Sequence, residues 1–508
     1  MYSEVFSVTM AGLEAVIVNV ETDAGDGLPY FEMSGYLASQ VRESKDRVRV
    51  AIKNSGIELR PERIVVNISP ADVRKAGTGF DLPIAVGILA ANGIIDSSNL
   101  KNTVVLGELS LDGKVNGVKG VMPSVMAAVE RGFTSCIIPA CNSNEGSMID
   151  GINVYGVESL RQLIDFLNGN TDMQALTYQG IAVSEHNGYQ IDFADIKGQM
   201  AAKRASMIAA AGMHNILYVG PPGSGKTMMA KRMPTIMPAL ESDEIMELTK
   251  IYSVAGCLND GILMNERPFR APHHSVTRAG LLGGGSVPRP GEITLATKGV
   301  LFLDELTEFP QAILESLRQP LEDRKIRIVR AAAEYIYPAD FMLVAAMNPC
   351  KCGYYPDRTR CFCTEHDILR YMGRISQPIW DRFDLNVKVN KVEFSMLSQD
   401  EEDNDSQMTS EQMRSFIGRA RDIQKDRFKN DNIHFNSQMS SRQVKKYCGL
   451  GNREKDIMEK AYCTFNMTAR GYEKVLKTAR TIADMEGEEN IAVSHLSEAI
   501  SYRNNGIK

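Results

Sequence analysis

ILYVGPPGSGKTMMAKRM, residues 216–233, joins a short apolar run to a glycine-rich turn and then to a helix-forming segment. The spacing G-x-x-x-x-G-K-[ST] from Gly220 to Thr227 is that of a phosphate-binding loop. A strand before it and a helix after it are the context such a loop requires. Gly220, Pro221, Pro222, Gly223, Ser224 and Gly225 make a loop whose backbone N–H groups can approach phosphate oxygens. Lys226 then places a point charge on the β- and γ-phosphates, and Thr227 offers a hydroxyl to Mg²⁺. ATP and Mg²⁺ are the expected ligands.

A second apolar run, GVLFLDE (299–305), ends in two carboxylates. Asp304 can hold the hydration shell of Mg²⁺, and Glu305 can orient or deprotonate the attacking water. An acidic pair at the end of a strand says little alone. Downstream of a phosphate loop it reads as the second half of a nucleotide-hydrolysing site. Short apolar runs of this kind are strands of a buried parallel sheet. A third, VAAMNPC (344–350), ends in Asn348, whose side chain can reach the attacking water from a neighbouring strand. IWDRFDL (379–385) sets Arg382 near the end of the block, and MTARGYEKVLKTAR (467–480) sets Arg470 at the start of a helix.

The chain has 508 residues, more than one core commonly serves, so two or three domains are expected. Residues 1–168 read as an α+β domain. EAVIVNVET (14–22) and RIVVNIS (63–69) have strand periodicity, while RVRVAIKNSG (47–56) and DLPIAVGILAANG (81–93) read as helices stopped by glycine. Residues 169–190 form a polar linker, 191–390 alternate strands and helices, and 391–508 read as helical after the acidic run SQDEEDNDSQ (398–407).

An apolar fraction of 44% and a charged fraction of 24% are those of a folded protein able to bury a large core. The net charge of −6 excludes a surface that grips nucleic acid all over, so any such contact is local. No apolar run is long enough to span a membrane, and MYSEVFSVTM lacks the basic and apolar regions of a secretory signal. Reduced cysteines in the cytoplasm are the expectation.

The order of these motifs resembles that of AAA+ ATPases, and within them the magnesium-chelatase-like branch and the ComM/YifB family. FADIKGQ (193–199), RPFRAPHHS (267–275), PRPGEITLA (288–296) and TARGY (468–472) carry the resemblance, which covers essentially the whole chain. It implies an α/β fold: an AAA+ P-loop ATPase core with an α-helical lid. By the same resemblance Asn348 is the first sensor and Arg382 an arginine finger offered to a neighbouring subunit's γ-phosphate. Arg470 is then the second sensor, from the lid of the nucleotide-bound subunit. Such a finger can be worth about 10³–10⁵ in rate. A plain salt bridge from Arg382 to Asp381 or Asp384 is the alternative, and Arg374 is the other candidate finger. A finger acting in trans demands a head-to-tail interface, which closes into a ring when the rotation closes. The family implies a hexamer.

RPFRAPHHSVTRAGLLGGGSVPRPGE (267–292) is too basic and too glycine-rich for ordinary core. Arg267, Arg270, Arg278 and Arg289 cluster there, and GGG (283–285) lets backbone approach a ligand closely. LEDRKIRIVRAAAEYIYPAD (321–340) reads as a hairpin with Lys325, Arg327 and Arg330 on one face. In similar AAA+ proteins of this branch such features line the pore. A few cations there would track a DNA backbone without reading bases, in a salt-sensitive way. Service at subunit interfaces is the alternative. Metal binding by His273 and His274 is disfavoured, because adjacent side chains on a regular element point apart.

NPCKCGYYPDRTRCFC (348–363) holds Cys350, Cys352, Cys361 and Cys363, four thiols that can complete a tetrahedral Zn²⁺ shell, with His366 as a substitute ligand. Unliganded thiols are the alternative.

ISPADVRKAGTGFDLPIAV (68–86) and GELSLDGKVNGVKGV (107–121) resemble the Lon-type protease domain, an S5-like α+β fold. Lon proteases use a Ser–Lys pair. The serine position falls at or beside Asp81 and the lysine position at Met122, with Lys119 out of register, so the domain is expected to be catalytically inactive. The whole sequence therefore reads as a ring-forming, ATP-driven DNA motor acting in branch migration during natural transformation. The alternatives are a magnesium-chelatase-like motor subunit and an ATP-dependent protease.

Overall fold

Alternating burial along Tyr2–Ala11 and Glu14–Gly25 follows from alternating apolar residues, and the two strands pair antiparallel around Gly12 (φ 72°). They lie within a seven-stranded mixed sheet. Its order is Tyr30–Ser34, Arg63–Ser69, Glu14–Gly25, Tyr2–Ala11, Thr103–Val105, Ser135–Pro139, Asn153–Val157. The helix Asp81–Ala91 is apolar on every side and buried at every residue, as such a helix must be. It and Ser44–Asn54 stop just before Gly93 and Gly56, both in the left-handed region that glycine favours.

This computed structural model describes residues 1–178, 190–258, 263–285, 288–330, 333–391 and 408–503. Residues 179–189 of the expected linker, the tip of the 321–340 hairpin and the acidic run 398–407 lie outside the described residues.

A second sheet has five strands in the order Phe269–Arg270, Val300–Leu303, Met342–Met347, Ile216–Val219, Leu385–Lys388, all parallel. Both faces are covered, so Ile216–Val219, Val300–Leu303 and Met342–Met347 are buried throughout, which is why they read as unbroken apolar runs. Parallel strands bring all their C-terminal ends to one edge. Gly220, Asp304 and Asn348 therefore share that edge, while Asn215, Phe341 and Asp384 share the other.

Helices from Ser410–Arg427 to Val493–Arg503 follow. They are tied internally by Asp484, which takes Arg427 at 2.6 Å and Arg480 at 3.0 Å. Asp384 joins them to the sheet. It accepts from the Asn215 N–H at 2.9 Å and pairs with Lys474 at 2.7 Å.

The N-terminal sheet also touches the second sheet's insertions. Leu13 packs in one core cluster with Tyr252, Ile326 and Tyr337. Glu145 is buried and accepts from the Met122 N–H and the Ser253 hydroxyl, and Lys250 pairs with Glu14 at 2.8 Å. Ser253 and Lys250 lie on the helix Ser242–Ala255.

Burial alone would push the Asp384 carboxyl up, but Lys474 and His214 hold it well below the usual carboxylate range. Its contribution to stability is complete above the unfolded pKa of about 4 and drains away as pH falls from there toward the folded value. Asp384→Ala leaves Lys474 buried without its carboxylate and is expected to cost about 3–5 kcal/mol. Denaturant midpoints at pH 7 should show that loss, and the gap between variant and wild type should narrow on acidification below about pH 4.

Candidate active site and nucleic-acid interface

The phosphate loop is held open by its own glycines. A Cβ on Gly220 would lie 2.1 Å from the Val389 carbonyl oxygen, and Gly223 and Gly225 have φ of 74° and 91°. Gly225 caps the helix Lys226–Ile236, whose N-terminus faces the loop and favours an anion. Lys226 Nζ donates to the carbonyls of Gly220 at 2.8 Å and Pro221 at 2.9 Å, and to Asn348 Oδ1 at 3.2 Å. Burial pulls its pKa below the ordinary lysine value, against the opposing pull of Asp304 and Glu305. The Ser224 hydroxyl is buried in the loop with no hydrogen-bond partner.

Thr227 Oγ1 donates to Asp304 Oδ2 at 2.8 Å, so the two side chains expected at Mg²⁺ already meet. Glu305 stands beside them with a left-handed backbone (φ 50°), and its N–H is held by Asp304 Oδ1 at 3.0 Å. A non-glycine residue in that region costs about 1–3 kcal/mol, a strain that clusters at functional sites. The orphaned hydroxyl, the ammonium and the helix N-terminus fit a triphosphate. Thr227 and Asp304 fit the Mg²⁺ that would offset its charge.

Arg382 and Arg470 are elsewhere. Arg382 is 9% exposed, and its carbonyl accepts from Asn215 Nδ2 at 2.9 Å, at the start of the strand whose end carries Gly220. That strand separates the two by about 13 Å. Arg382 pairs with Glu322 at 2.6 Å, and neither Asp381 nor Asp384 is its partner. Arg470 reaches the same carboxylate at 3.1 Å. The expectation that Arg470 serves its own subunit's nucleotide is therefore corrected, because the helix that bears it packs against the far edge of the sheet. Arg374 binds Glu308 at 3.1 Å, just beyond Glu305, on the edge of its own phosphate loop. Sequence gave no signal for Glu322, which meets its partners across 60 and 148 residues.

The basic segments divide into spent and free charge. Arg267 is buried, donating to the carbonyls of Pro238, Lys298 and Ala239 and pairing with Glu244. Arg270 is held by both oxygens of Glu292 at 2.7 and 2.8 Å. Neither is available to a ligand, which corrects their expected DNA contact: each fastens the insertion to the sheet. Arg278, Arg289, Lys325 and Arg327 are exposed, Arg327 in a screened surface pair with Glu334 at 3.4 Å.

The hairpin pairs Lys325–Arg330 with Ala333–Pro338. Lys325 and Arg327 share its outer face with Val329 and Ile336, which are 72% and 50% exposed. Arg330 is on the opposite face, since positions 325 and 327 are odd and 330 is even. It donates to the Gly285 carbonyl at 3.1 Å, and Tyr337 donates to the Pro288 carbonyl at 3.1 Å. Hairpin and glycine loop thus form one surface. The His273 and His274 rings do not point apart, because their segment is irregular. Their centroids are 3.9 Å apart, and His273 engages Ser275.

The four cysteine sulfurs lie within 4.8 Å of one another, with Cys350–Cys352, Cys350–Cys361 and Cys352–Cys361 at 3.3, 3.7 and 3.5 Å. Tetrahedral Zn²⁺ with sulfurs at about 2.3 Å sets them roughly 3.8 Å apart, so the donor set fits that ion. His366 is exposed and outside the cluster, which corrects its expected substitute role. Gly353 (φ 85°) follows Cys352, and a Cβ there would lie 2.6 Å from Pro222 Cδ. The cysteine loop leans on the phosphate loop, a contact that spacing alone did not announce.

A family model described as magnesium chelatase, subunit ChlI, matches residues 192–397. Two others, subunit ChlI of Mg-chelatase and its C-terminal region, match residues 20–142 and 407–503. The chain is 41% identical to the competence protein ComM of Haemophilus influenzae over 501 residues, 98% of this chain and 97% of that protein. It is 37% identical to YifB of Escherichia coli over 492 residues, 97% and 95% of the two chains. The chain belongs to the ComM/YifB family. Its members are magnesium-chelatase-like proteins with an AAA+ core, and ATP hydrolysis with Mg²⁺ is the general activity of that core. Among the described residues no helix is long and apolar enough to cross a membrane.

This family member is also 30% identical to Lon protease 2 of Bacillus subtilis over 129 residues, 25% of this chain and 23% of that protein. The notable positions of its N-terminal domain are all engaged. Asp81 there is buried and gripped by Arg47 through two bonds of 2.9 Å, and Met122 is fully buried. Lys119 donates to the Ala255 carbonyl at 3.3 Å. These positions now serve packing and docking.

Metal analysis of the purified chain should find about one zinc per subunit. Cys361→Ser should lose most of it, whereas His366→Ala should keep it.

Proposed function

We propose that the chain forms a ring, as a hexamer, that hydrolyses ATP to move along single-stranded or branched DNA, promoting branch migration of recombination intermediates. The observation that carries this reading is a covalent one. The exposed hairpin with Lys325 and Arg327 runs directly into the strand Met342–Met347, which ends at Asn348 against Lys226. A change at the nucleotide is thereby passed along one strand to a cationic surface.

Arg278 and Arg289 extend that surface, and the salt-sensitive, sequence-tolerant grip of a few cations suits a motor. Arg330 and Gly285 lock its two halves together. Lys226 and Thr227 hold the phosphates and Mg²⁺, Asp304 completes the metal's shell, and Glu305 orients the water. Asn348 senses the γ-phosphate. Arg382 and Arg470, on the edge away from their own phosphate loop, are offered to the neighbouring subunit, which is the reason for a ring. Zn²⁺ on the four cysteines braces the sensor loop against Pro222. The name of the Haemophilus influenzae relative, a competence protein, supports natural transformation in the cytoplasm as the setting.

A magnesium-chelatase-like motor subunit is the second reading, favoured by the descriptions of the three matching family models. An ATPase assay with and without forked DNA separates the two. Stimulation by DNA is expected, and its absence would favour the chelatase reading. Lys325→Ala with Arg327→Ala should weaken DNA binding and flatten its dependence on salt by about 0.7 per lost phosphate contact, leaving DNA-free hydrolysis intact. Arg382→Ala should lower turnover about 10³-fold in assembled rings, at unchanged assembly by light scattering.

A further inference from the structure

Two arginines of one subunit share a single carboxylate. Glu322 Oε2 accepts from Arg382 at 2.6 Å and Oε1 from Arg470 at 3.1 Å. The Arg382 Nε is nevertheless buried without an acceptor. A cavity of about 260 Å³ opens beside them, lined among others by Glu322, Arg324, Arg382, Asp384, Lys474 and Lys477. Asp384 is taken by Lys474, and Arg324 by Asp340 at 3.0 Å. Lys477 donates to the Ser437 carbonyl at 3.1 Å, which leaves Arg382 and Arg470 against one carboxylate. The place carries surplus positive charge, an unfilled buried donor and room for an anion.

We propose that Glu322 is an internal stand-in for phosphate. It holds Arg382 and Arg470 until the γ-phosphate bound to the neighbouring subunit takes them, and its release frees the base of the hairpin. This rests on the reading that the two arginines act in trans. A phosphate dianion with three terminal oxygens answers two guanidinium groups, the unfilled Nε of Arg382 included, better than one carboxylate can. The Glu322 side chain is 52% exposed, so its grip is a screened surface pair that such an anion can displace.

The connection onward is short. Glu322 is in the last turn of the helix Arg318–Asp323, Arg324 follows in the left-handed region (φ 53°), and the hairpin strand begins at Lys325. The returning strand is fastened there too, by the Ala339 N–H to the Arg324 carbonyl at 2.9 Å. When Glu322 lets go, the helix end before Arg324 loses its tie to Arg382 and Arg470, and the Ala339–Arg324 bond carries that change to both ends of the hairpin at once. The hairpin therefore reads the nucleotide of the adjacent subunit through Glu322 and that of its own through Asn348. Glu322 is a positioning residue, since it acts through the arginines.

The test uses the full chain assembled with ATP, measured with and without DNA. Glu322→Gln keeps the shape and removes the charge. It should raise DNA-free kcat by about fivefold, the scale of one exposed ion pair, with KM for ATP within about twofold of wild type. DNA stimulation should shrink accordingly. Glu322→Asp should restore wild-type behaviour in part. The Glu322→Gln, Arg382→Ala double variant should turn over no faster than Arg382→Ala. An equal rise in that background, or no change in either rate at wild-type thermal stability, would overturn the proposal. Should Glu322→Gln misassemble, hydrogen exchange of residues 325–338 in wild-type rings is the second measurement. A non-hydrolysable ATP analogue must loosen them, and loosening must vanish in rings of Arg382→Ala. If Arg382→Ala and Arg470→Ala both hydrolyse ATP at wild-type rates, the trans reading itself fails and takes this proposal with it.

Discussion

A four-residue strand, Ile216–Val219, parallel to both of its neighbours, sets what this chain can do with a nucleotide. Because the strands run the same way, the residues that follow them converge on one edge and the residues that precede them on the other. The adjacent Lys226 and Thr227 meet Asn348 and Asp304 within hydrogen-bonding distance across 122 and 77 residues of sequence. The same geometry sends Arg382 and the helical lid to the opposite edge, pinned there by Asn215 and Asp384. A subunit so built gathers the hydrolytic groups on one edge and holds Arg382 and Arg470, paired with Glu322, on the other.

Most of the first edge was legible because each part is a local motif. The glycines, Lys226 and Thr227 sit in eight consecutive residues, and Asp304, Glu305 and Asn348 each end an apolar run. The second edge was not. Arg267 and Arg270 look free in sequence, yet their partners are carbonyls and carboxylates up to 31 residues away, and burial cannot be read from a charge. Arg330 was misplaced for a simpler reason: an offset of three from Arg327 reverses its face on a strand. The lid's position, and with it that of Arg470, depends on tertiary packing around Asp384 that no local pattern encodes.

In the N-terminal domain an ion pair and docking contacts stand at the positions where the resemblance to Lon proteases would set a Ser–Lys pair. Asp81 and Arg47 fill one position with a buried ion pair. The segment around Met122 turns its backbone to Glu145, which also takes Ser253 from the helix Ser242–Ala255. The domain's surface there receives the helix Ser242–Ala255 of the ATPase core.

Gly12 makes that replacement matter beyond its own domain. It presses on Tyr335, where an added Cβ would come within 3.1 Å of the ring, while Leu13 sits with Ile326 and Tyr337. The turn between the first two strands thus forms a floor beneath the hairpin's inner face. The amino-terminal domain is a buttress: of the hairpin's two faces, its packing covers the inner one and leaves the outer one, with Lys325 and Arg327, exposed among the described residues.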